Sequence, residues 1–538
     1  MNTKDGCDVK ENIASFFAGK YPLIKLFPYG EEFLVYDAKP HFAFILSPEE
    51  MLVLVDFLQG MPPEEILQVH SAQMDTEAIQ RLIVKFTDLK ASGVFLEGPA
   101  IQISPTDRGS IKEQLQYFAE NILLRKFCLE VTEDCNYRCT YCKRTIANTH
   151  AKNKLSEENA YRGLRYYFEK YTSLFQKLSD EKKKLLLQIV PPSLSWYGGE
   201  PFLNFELIKK SADYFKNLPW HKFGIDNKIL QFTSNTNLSI MNDEILNFLV
   251  EHRVYLFASL DGPAEEHDRC RFFANGGGTF ATAYHNLLKI KSFNADYFQE
   301  RVSIFGVYTD QHNYDQCAEF TSSIGVLQCQ HFPAEYTGTF VSDPEKTIEN
   351  YCNSWDKRFS SFQQIAFEAS HNENVSMEKF ANVFSFAKIN YDYPSGKDSL
   401  QVLLTCPMGF DNLMLAANGD YLICHKVDGS MPVGHCASGL NLDKLVDFNQ
   451  QYNQAINNDE CKNCWNVNFC SICAAGRMVG NQFLNPTKKE CDYFRLRTAY
   501  DFLCFSHLSL EHPDLLKRIF AYRNDPQKYI GIIDINDF

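Results

Sequence analysis

The first twenty residues, "MNTKDGCDVKENIASFFAGK", lack the apolar stretch of an export signal, and no later run approaches the ~20 apolar residues that a membrane span requires. A cytoplasmic location with no membrane partner is the expectation. Basic stripes are missing too. Net charge is −14, and the one short basic run, "DEKKK" at 180–184, reads as a solvated loop or a helix start. Nucleic acid is therefore not an expected partner. Nor does composition signal disorder: hydrophobic residues make up 45%, charged residues 22% and aromatics 14%, which is enough apolar material for real cores. At 538 residues the chain exceeds one ordinary core and divides into about three or four units. What it has in quantity is cysteine, 18 in all. A reducing cytosol keeps thiols free, which argues against a disulfide framework and makes metal or redox chemistry the leading explanation.

Residues 1–20 read as a flexible N-terminus. After them, "PLIKLFPYGEEFLVYDAKPHFAFIL" alternates apolar and polar residues around turns and predicts two or three short strands. Ser47 opens a helix with Pro at its first position, acids in its first turn and Gly60 at its close. Two further helical patterns follow, and "VFLEGP" predicts a returning strand. Residues 21–104 thus form one module of winged-helix character, with 105–126 as a linker helix. From 127 to 331 strands and helices alternate, which predicts an α/β fold of parallel β/α units closing into a full or partial barrel, with chemistry at the strand ends. Residues 332–400 read as a connector, although "NSWDKRFSSFQQIAFEA" is helical. From 401 to 495 cysteines become dense and apolar periodicity fades, so bound metal is expected to hold that region more than a hydrophobic core does. A helical tail, 496–538, ends the chain.

"CNYRCTYC" places Cys135, Cys139 and Cys142 around one small loop and stops at three. Such a triplet suits three irons of a cubane cluster, the fourth iron keeping its valence for an exchangeable ligand; a zinc loop is the bland alternative. "WYGGEP" ends an apolar strand in Gly198-Gly199-Glu200-Pro201, where the glycines permit close backbone approach to a ligand and Glu200 could receive an ammonium group. "TSNTNL" (233–238) and "SLDGPAEEHDRCR" (259–271) follow the next two strands.

In that order these four motifs resemble the radical S-adenosylmethionine (radical SAM) superfamily. The resemblance implies a [4Fe-4S] cluster on Cys135, Cys139 and Cys142, its unique iron chelated by the amino and carboxylate groups of S-adenosylmethionine. It places Gly198, Gly199 and Glu200 at the methionine end, with Ser259, Asp261, Asn235 and Arg271 near ribose or carboxylate. Thr236 stands where the family has glycine, so that loop departs from the pattern. His267 and Asp268 have a local reading as cap and pair.

In the C-terminal block "CPMGFDNLMLAANGDYLIC" carries Cys406 and Cys424, "CKNCWNVNFCSIC" carries Cys461, Cys464, Cys470 and Cys473, and Cys491 follows. Seven thiols exceed one tetrahedral zinc site, although paired CxxC units are also zinc grammar. The block is similar to the SPASM extension, a cysteine-rich iron–sulfur domain. That resemblance implies two auxiliary [4Fe-4S] clusters: Cys406, Cys424 and Cys473 on the first; Cys461, Cys464, Cys470 and Cys491 on the second. Two residues separate Cys470 from Cys473 where the family commonly has three. A fourth ligand for the first could come from Cys352, Cys329 or Cys436, or the site could stay open for a substrate thiolate. Cys7, Cys128, Cys270, Cys317 and Cys504 read as small buried hydrophobes.

The N-terminal module is similar to the leader-recognition element of ribosomally made, modified peptides (RiPPs), which binds an extended peptide as an added strand; a packing domain with no peptide is the alternative. Together the resemblances span about residues 21–500. They imply a peptide maturase in which a 5′-deoxyadenosyl radical starts an intramolecular cross-link, either a thioether or a carbon–carbon bond. The expected partners are a precursor peptide with its leader and an electron donor such as flavodoxin or ferredoxin. Alternatives are an anaerobic sulfatase maturase forming formylglycine and a non-catalytic metal-bound scaffold that binds peptide.

Overall fold

The structure, a computed structural model, describes residues 16–17, 19–95, 106–142, 145, 151–309, 311–333, 344–388, 408–427, 429–470, 472–524 and 535. Its first sheet is an antiparallel meander of β1 (Ile24–Tyr29), β2 (Glu32–Asp37) and β3 (Phe42–Leu46). Gly30, at φ 62°, turns β1 into β2 in a backbone region that L side chains rarely adopt. Three helices follow: α1 (Pro48–Gln59), α2 (Pro63–His70) and α3 (Thr76–Ala91). The sequence signals act as read for α1. Ser47 and Glu50 form a reciprocal capping box, and Gly60 closes the helix at φ 85°. Met51, Leu54, Ile79, Leu82 and Phe86 from the helices bury against Val35, Phe44 and Leu46 from the sheet. The strand expected in "VFLEGP" lies outside the described residues beyond Phe95.

α4 (Arg108–Asn121) leads into the β/α region: β4 (Lys126–Thr132), α5 (Glu157–Phe175), α6 (Asp180–Ile189), β5 (Ser193–Gly198), α7 (Phe205–Asn217), β6 (Gln231–Thr236), α8 (Asp243–Glu251), β7 (Tyr255–Ser259), α9 (Ala264–Cys270), α10 (Phe280–Phe293), α11 (Ala295–Arg301), β8 (Val302–Tyr308), α12 (Tyr314–Ser322) and β9 (Gln328–Pro333). "DEKKK" starts α6, capped by Ser179. The six strands are parallel and neighbour one another in chain order, so each crossover helix returns the chain to the same end of the sheet. Among the described residues β9 does not pair with β4, which leaves a partial barrel.

Side chains on a strand alternate between its two faces. Leu194 and Trp196, Phe232 and Ser234, Leu256 and Ala258 are buried on one face, while Ser195, Tyr197, Thr233, Asn235, Phe257 and Ser259 are half-buried on the other. The first face carries the core: Trp196 stacks on Phe232 at 5.4 Å, packs on Phe248 of α8, and donates its indole N–H to Ser211 of α7 at 2.8 Å. The second lines a hollow whose mouth is the carboxyl end of the sheet, where all four sequence motifs lie.

Two regions depart from expectation. Residues 344–388 are no simple connector: α13 (Pro344–Asn353), α14 (Trp355–His371) and a 3₁₀ stretch at Met377–Lys388 are helical, and Phe362, Phe380 and Phe386 bury with residues of the last helices. Nor does metal alone hold the cysteine-rich block. β10 (Asn412–Leu415) pairs parallel with the free side of β4, then β11 (Asp420–Leu422), β12 (Gly434–His435) and β13 (Gly439–Leu440) extend the sheet. Leu413, Leu415, Tyr421 and Val433 thereby join the barrel core, with Leu445 and Phe448 of α15 (Leu442–Ile456). Sequence periodicity missed this because these strands are two to four residues long. α16 (Lys488–Glu511) and α17 (Pro513–Asn524) complete the described fold. Among the described residues no helix is long and apolar enough to cross a membrane.

Candidate functional site

The loop that follows β4 is held by backbone contacts on both sides. The N–H groups of Arg138 and Thr140 donate to Phe272 O at 2.7 Å and Cys270 O at 2.9 Å, and Ala274 N–H donates to Asn136 O at 2.9 Å. On the other side Gly199 and Glu200 N–H donate to Thr132 O at 2.9 Å and Asp134 O at 2.8 Å. The need for two glycines is plain here. A Cβ on Gly198 would stand 2.2 Å from Thr132 O and one on Gly199 2.1 Å from Asp134 O. The glycines admit the backbone of the cysteine loop.

Two of the three thiols, Cys135 and Cys139, have N–H donors near sulfur. Tyr137 N–H approaches Cys135 Sγ at 3.4 Å, Asn237 Nδ2 lies 3.7 Å from the same sulfur, and Arg271 Nη1 lies 4.0 Å from Cys139 Sγ. Burial pushes the thiols of Cys135 and Cys139 up to about 12, and each also feels the charge of Cys142. Deprotonated sulfurs there need a cationic partner. N–H groups and a guanidinium aimed at sulfur suit thiolates bound to metal, so the residues fit an iron–sulfur cluster with an open corner. Among the described residues no three His, Cys, Asp or Glu side chains draw close enough to share a single metal ion. A Zn–S bond of about 2.3 Å would bring the sulfurs of one zinc site to roughly 3.8 Å from one another.

Glu200 differs from expectation. Its carboxyl is fully buried and accepts from Thr236 Oγ1 at 3.0 Å, Asn237 N–H at 2.7 Å and Phe202 N–H at 3.2 Å. Burial raises it to about 7 in spite of those donors. It locks the end of β5 to the 236–238 turn rather than facing the hollow, and Thr236, the residue in the family's glycine position, is one of its donors. Asp261 and Arg271 also turn inward. Arg271 donates to both carboxylate oxygens, at 2.8 and 2.9 Å, Tyr141 Oη at 2.7 Å and Val307 N–H at 2.8 Å add to them, and both side chains are buried. Burial pushes Asp261 up, but the guanidinium outweighs it and holds the carboxyl at about 2. The pair fastens the end of β7 to the cysteine loop, and its ring contact with Tyr141, 5.4 Å from the guanidinium, extends that brace. Asn235 and Ser259 are both half-buried on the hollow face, and neither side chain makes a hydrogen bond among the described residues. His267 and Asp268 behave locally. Asp268 caps α10 by accepting from Thr279 and Phe280 N–H at 2.7 and 2.8 Å, while His267 bridges Asp261 N–H and Thr279 Oγ1.

Of the auxiliary cysteines, Cys406 lies outside the described residues. Cys461, Cys464, Cys470 and Cys491 form one group whose thiols feel one another's charge, with burial pushing Cys470 and Cys491 up to about 12. Cys424 and Cys473 pack instead against the barrel core. Of the three suggested fourth ligands, Cys329 donates to Thr321 O at 3.2 Å, Cys352 is exposed on α13, and Cys436 lies against Gly419 on the side of α5. Cys128, Cys270, Cys317 and Cys504 are buried, but Cys128 on β4 feels the charge of Cys424. Sequence reasoning missed Tyr137, Asn237 and Tyr141, because their roles are second contacts to sulfur and carboxylate that carry no spacing signal.

Residues 129–322 match the Radical SAM superfamily. This chain carries a radical SAM domain. The match takes in the loop after β4, the Gly-Gly turn and the Asp261–Arg271 pair. Among curated relatives, the radical SAM cyclopropyl synthase TigE of Paramaledivibacter caminithermalis is 24% identical over 397 residues, 68% of this chain and 72% of TigE. A serine-type anaerobic sulfatase-maturating enzyme of Bacteroides thetaiotaomicron is 26% identical over 181 residues, 30% of this chain and 38% of the relative. Among solved structures, native anSMEcpe with bound AdoMet overlays with a TM-score of 0.51 at 16% identity, covering 73% of this chain and 98% of that one, which supports the radical SAM fold. The family implies S-adenosylmethionine and a [4Fe-4S] cluster at the radical SAM loop.

Proposed function

We propose that this chain is a peptide maturase that forms an intramolecular bond in a ribosomally made precursor peptide with net loss of two hydrogens. The observation that carries the reading is the cysteine loop with its N–H and guanidinium donors at the mouth of a partial barrel, joined in one chain to a module whose edge strand is open among the described residues. Cys135, Cys139 and Cys142 would hold the cluster, and S-adenosylmethionine bound there supplies hydrogen abstraction from an unactivated carbon. Asn235 and Ser259 offer free polar groups to the cosubstrate, and Tyr197, Phe257 and Phe305 give the hollow an aromatic lining that limits water. The auxiliary groups, Cys406, Cys424 and Cys473 and the quartet of Cys461, Cys464, Cys470 and Cys491, would hold two further [4Fe-4S] clusters that take up the second electron. A carrier such as flavodoxin or ferredoxin supplies the reducing electron.

For the precursor, β3 is the feature of interest: among the described residues it pairs only with β2, so an extended leader can add as a fourth strand, with α3 beside it. Carbon–carbon closure is the favoured bond, because the printed name of the relative TigE describes formation of a cyclopropane ring, and joining two carbons in this way removes two hydrogens. A thioether is the next choice. The second reading, formylglycine formation, draws on the sulfatase-maturating relative and gives no role to the N-terminal module. Anaerobic incubation with S-adenosylmethionine, reductant and either a precursor peptide or a sulfatase cysteine or serine peptide separates them: a mass lower by two hydrogens with a linked, fragmentation-resistant segment supports the first, and an aldehyde in the sulfatase peptide supports the second.

A further inference from the structure

Around the C-terminal quartet, one cation has no part in the roles assigned above. Arg495 stands one helical turn after Cys491 on α16, so both face the same side. Its Nε–H donates to Cys464 Sγ at 3.4 Å, and its Nη1 is fixed by Asp492 Oδ1 at 2.9 Å. Its side chain is 26% exposed. A second cation comes from the N-terminal module: Lys25 of β1 lies with its Nζ 5.8 Å from the ring of Trp465, the residue after Cys464, close enough for burial and then the charge of Arg495 to lower its own pKa.

A thiolate-bound cluster gains one negative charge when it takes up an electron. An N–H donor and a positive charge at a ligand sulfur therefore stabilise the reduced state more than the oxidised one. We propose that Arg495 is a positioning residue that raises the reduction potential of the iron–sulfur cluster held by Cys461, Cys464, Cys470 and Cys491, with Lys25 acting in the same direction from the N-terminal module. The proposal rests on the reading that this quartet binds such a cluster. Asp492 holds the fork so that Nε faces sulfur, which is why a lysine, with a flexible point charge and no fork, replaces only part of the effect.

The test is electron paramagnetic resonance of the anaerobically reconstituted full-length chain at stepped potentials under dithionite, with iron counted per chain. C461A/C464A assigns the quartet by the signal and iron it loses. R495Q should keep its iron and show that signal at a more negative midpoint, R495K should fall between R495Q and the native chain, and K25M should shift the midpoint less but in the same direction. An unchanged midpoint in iron-replete R495Q overturns the proposal and leaves the quartet as a cluster site. If R495Q fails to hold iron, R495K and K25M carry the test, and unchanged midpoints in both overturn it. If C461A/C464A loses neither iron nor signal, the quartet is no cluster site and the proposal falls with that reading.

Discussion

A methyl group on Gly199 would have to occupy space 2.1 Å from a backbone oxygen, which no side-chain rotation can relieve. Gly199→Ala should therefore cost about 2 kcal/mol or more and detach β5 from the cysteine loop, seen as a lower melting temperature and a loss of iron from the reconstituted chain. The neighbouring carboxyl makes a prediction in pH. Glu200 is raised by burial from 4.5 to about 7, so the folded chain keeps its proton to higher pH than the unfolded chain does. Its contribution is fully present below the ordinary carboxyl value and is lost as pH rises through about 7, a fall of about 3 kcal/mol at most. Melting curves across that window should show the slope in the native chain and not in Glu200→Gln. At this scale the three cysteines and the Gly-Gly pair were legible because their chemistry restricts residue type and spacing. The inward turn of Glu200, Asp261 and Arg271 was not. A sequence names a charged side chain but not whether its partner is a ligand or another part of the chain: Glu200 accepts from Thr236 across 36 residues, and Tyr141 donates to Asp261 across 120.

The elements of the N-terminal module divide between an inner and an outer duty. β1 and part of β2 face the rest of the chain, whereas β3, among the described residues, offers its edge and the partly exposed Ile45. Ile45→Glu should weaken binding of a labelled leader peptide at least tenfold in fluorescence anisotropy while leaving the melting temperature within a degree or two, since an exposed substitution away from caps and cores changes stability by about 0.5 kcal/mol or less. The strand and helix order here was readable from turn residues, the Ser47 cap and Gly60. The helical packing of 344–388 was only partly readable: α14 showed its pattern, but the shorter helix and the 3₁₀ stretch beside it did not, and their burial depends on partners in α16 that are more than a hundred residues away.

Across the whole molecule, the cysteine quartet and the N-terminal module meet. Asn468, between Cys464 and Cys470, donates to Tyr36 Oη and Ala38 O, both at 2.8 Å. Trp465 packs edge-on to Phe27 at 5.5 Å, and Phe27 stacks on Phe502 of α16 at 3.9 Å. Barrel and α16 touch as well, through the hydroxyls of Tyr308 and Tyr493 at 3.1 Å. Phe27→Ala should cost about 3–4 kcal/mol and speed hydrogen exchange in β1 and β2 more than in the barrel strands. Such contacts join parts of the chain that sequence reading treats as separate domains, and no local pattern announces them. They also mean that cutting away residues 1–104 would expose Phe502 and Trp465, so Ile45→Glu is the cleaner probe of leader binding.

The central claim is modification of a peptide by chemistry begun at the Cys135, Cys139 and Cys142 loop. Its most direct test is tandem mass spectrometry of the short peptide encoded beside this gene after anaerobic incubation with the reconstituted chain, S-adenosylmethionine and dithionite. The account predicts a product lighter by two hydrogens, with the loss confined to one linked segment and absent with Cys139→Ala. An unaltered peptide alongside steady formation of 5′-deoxyadenosine would contradict it.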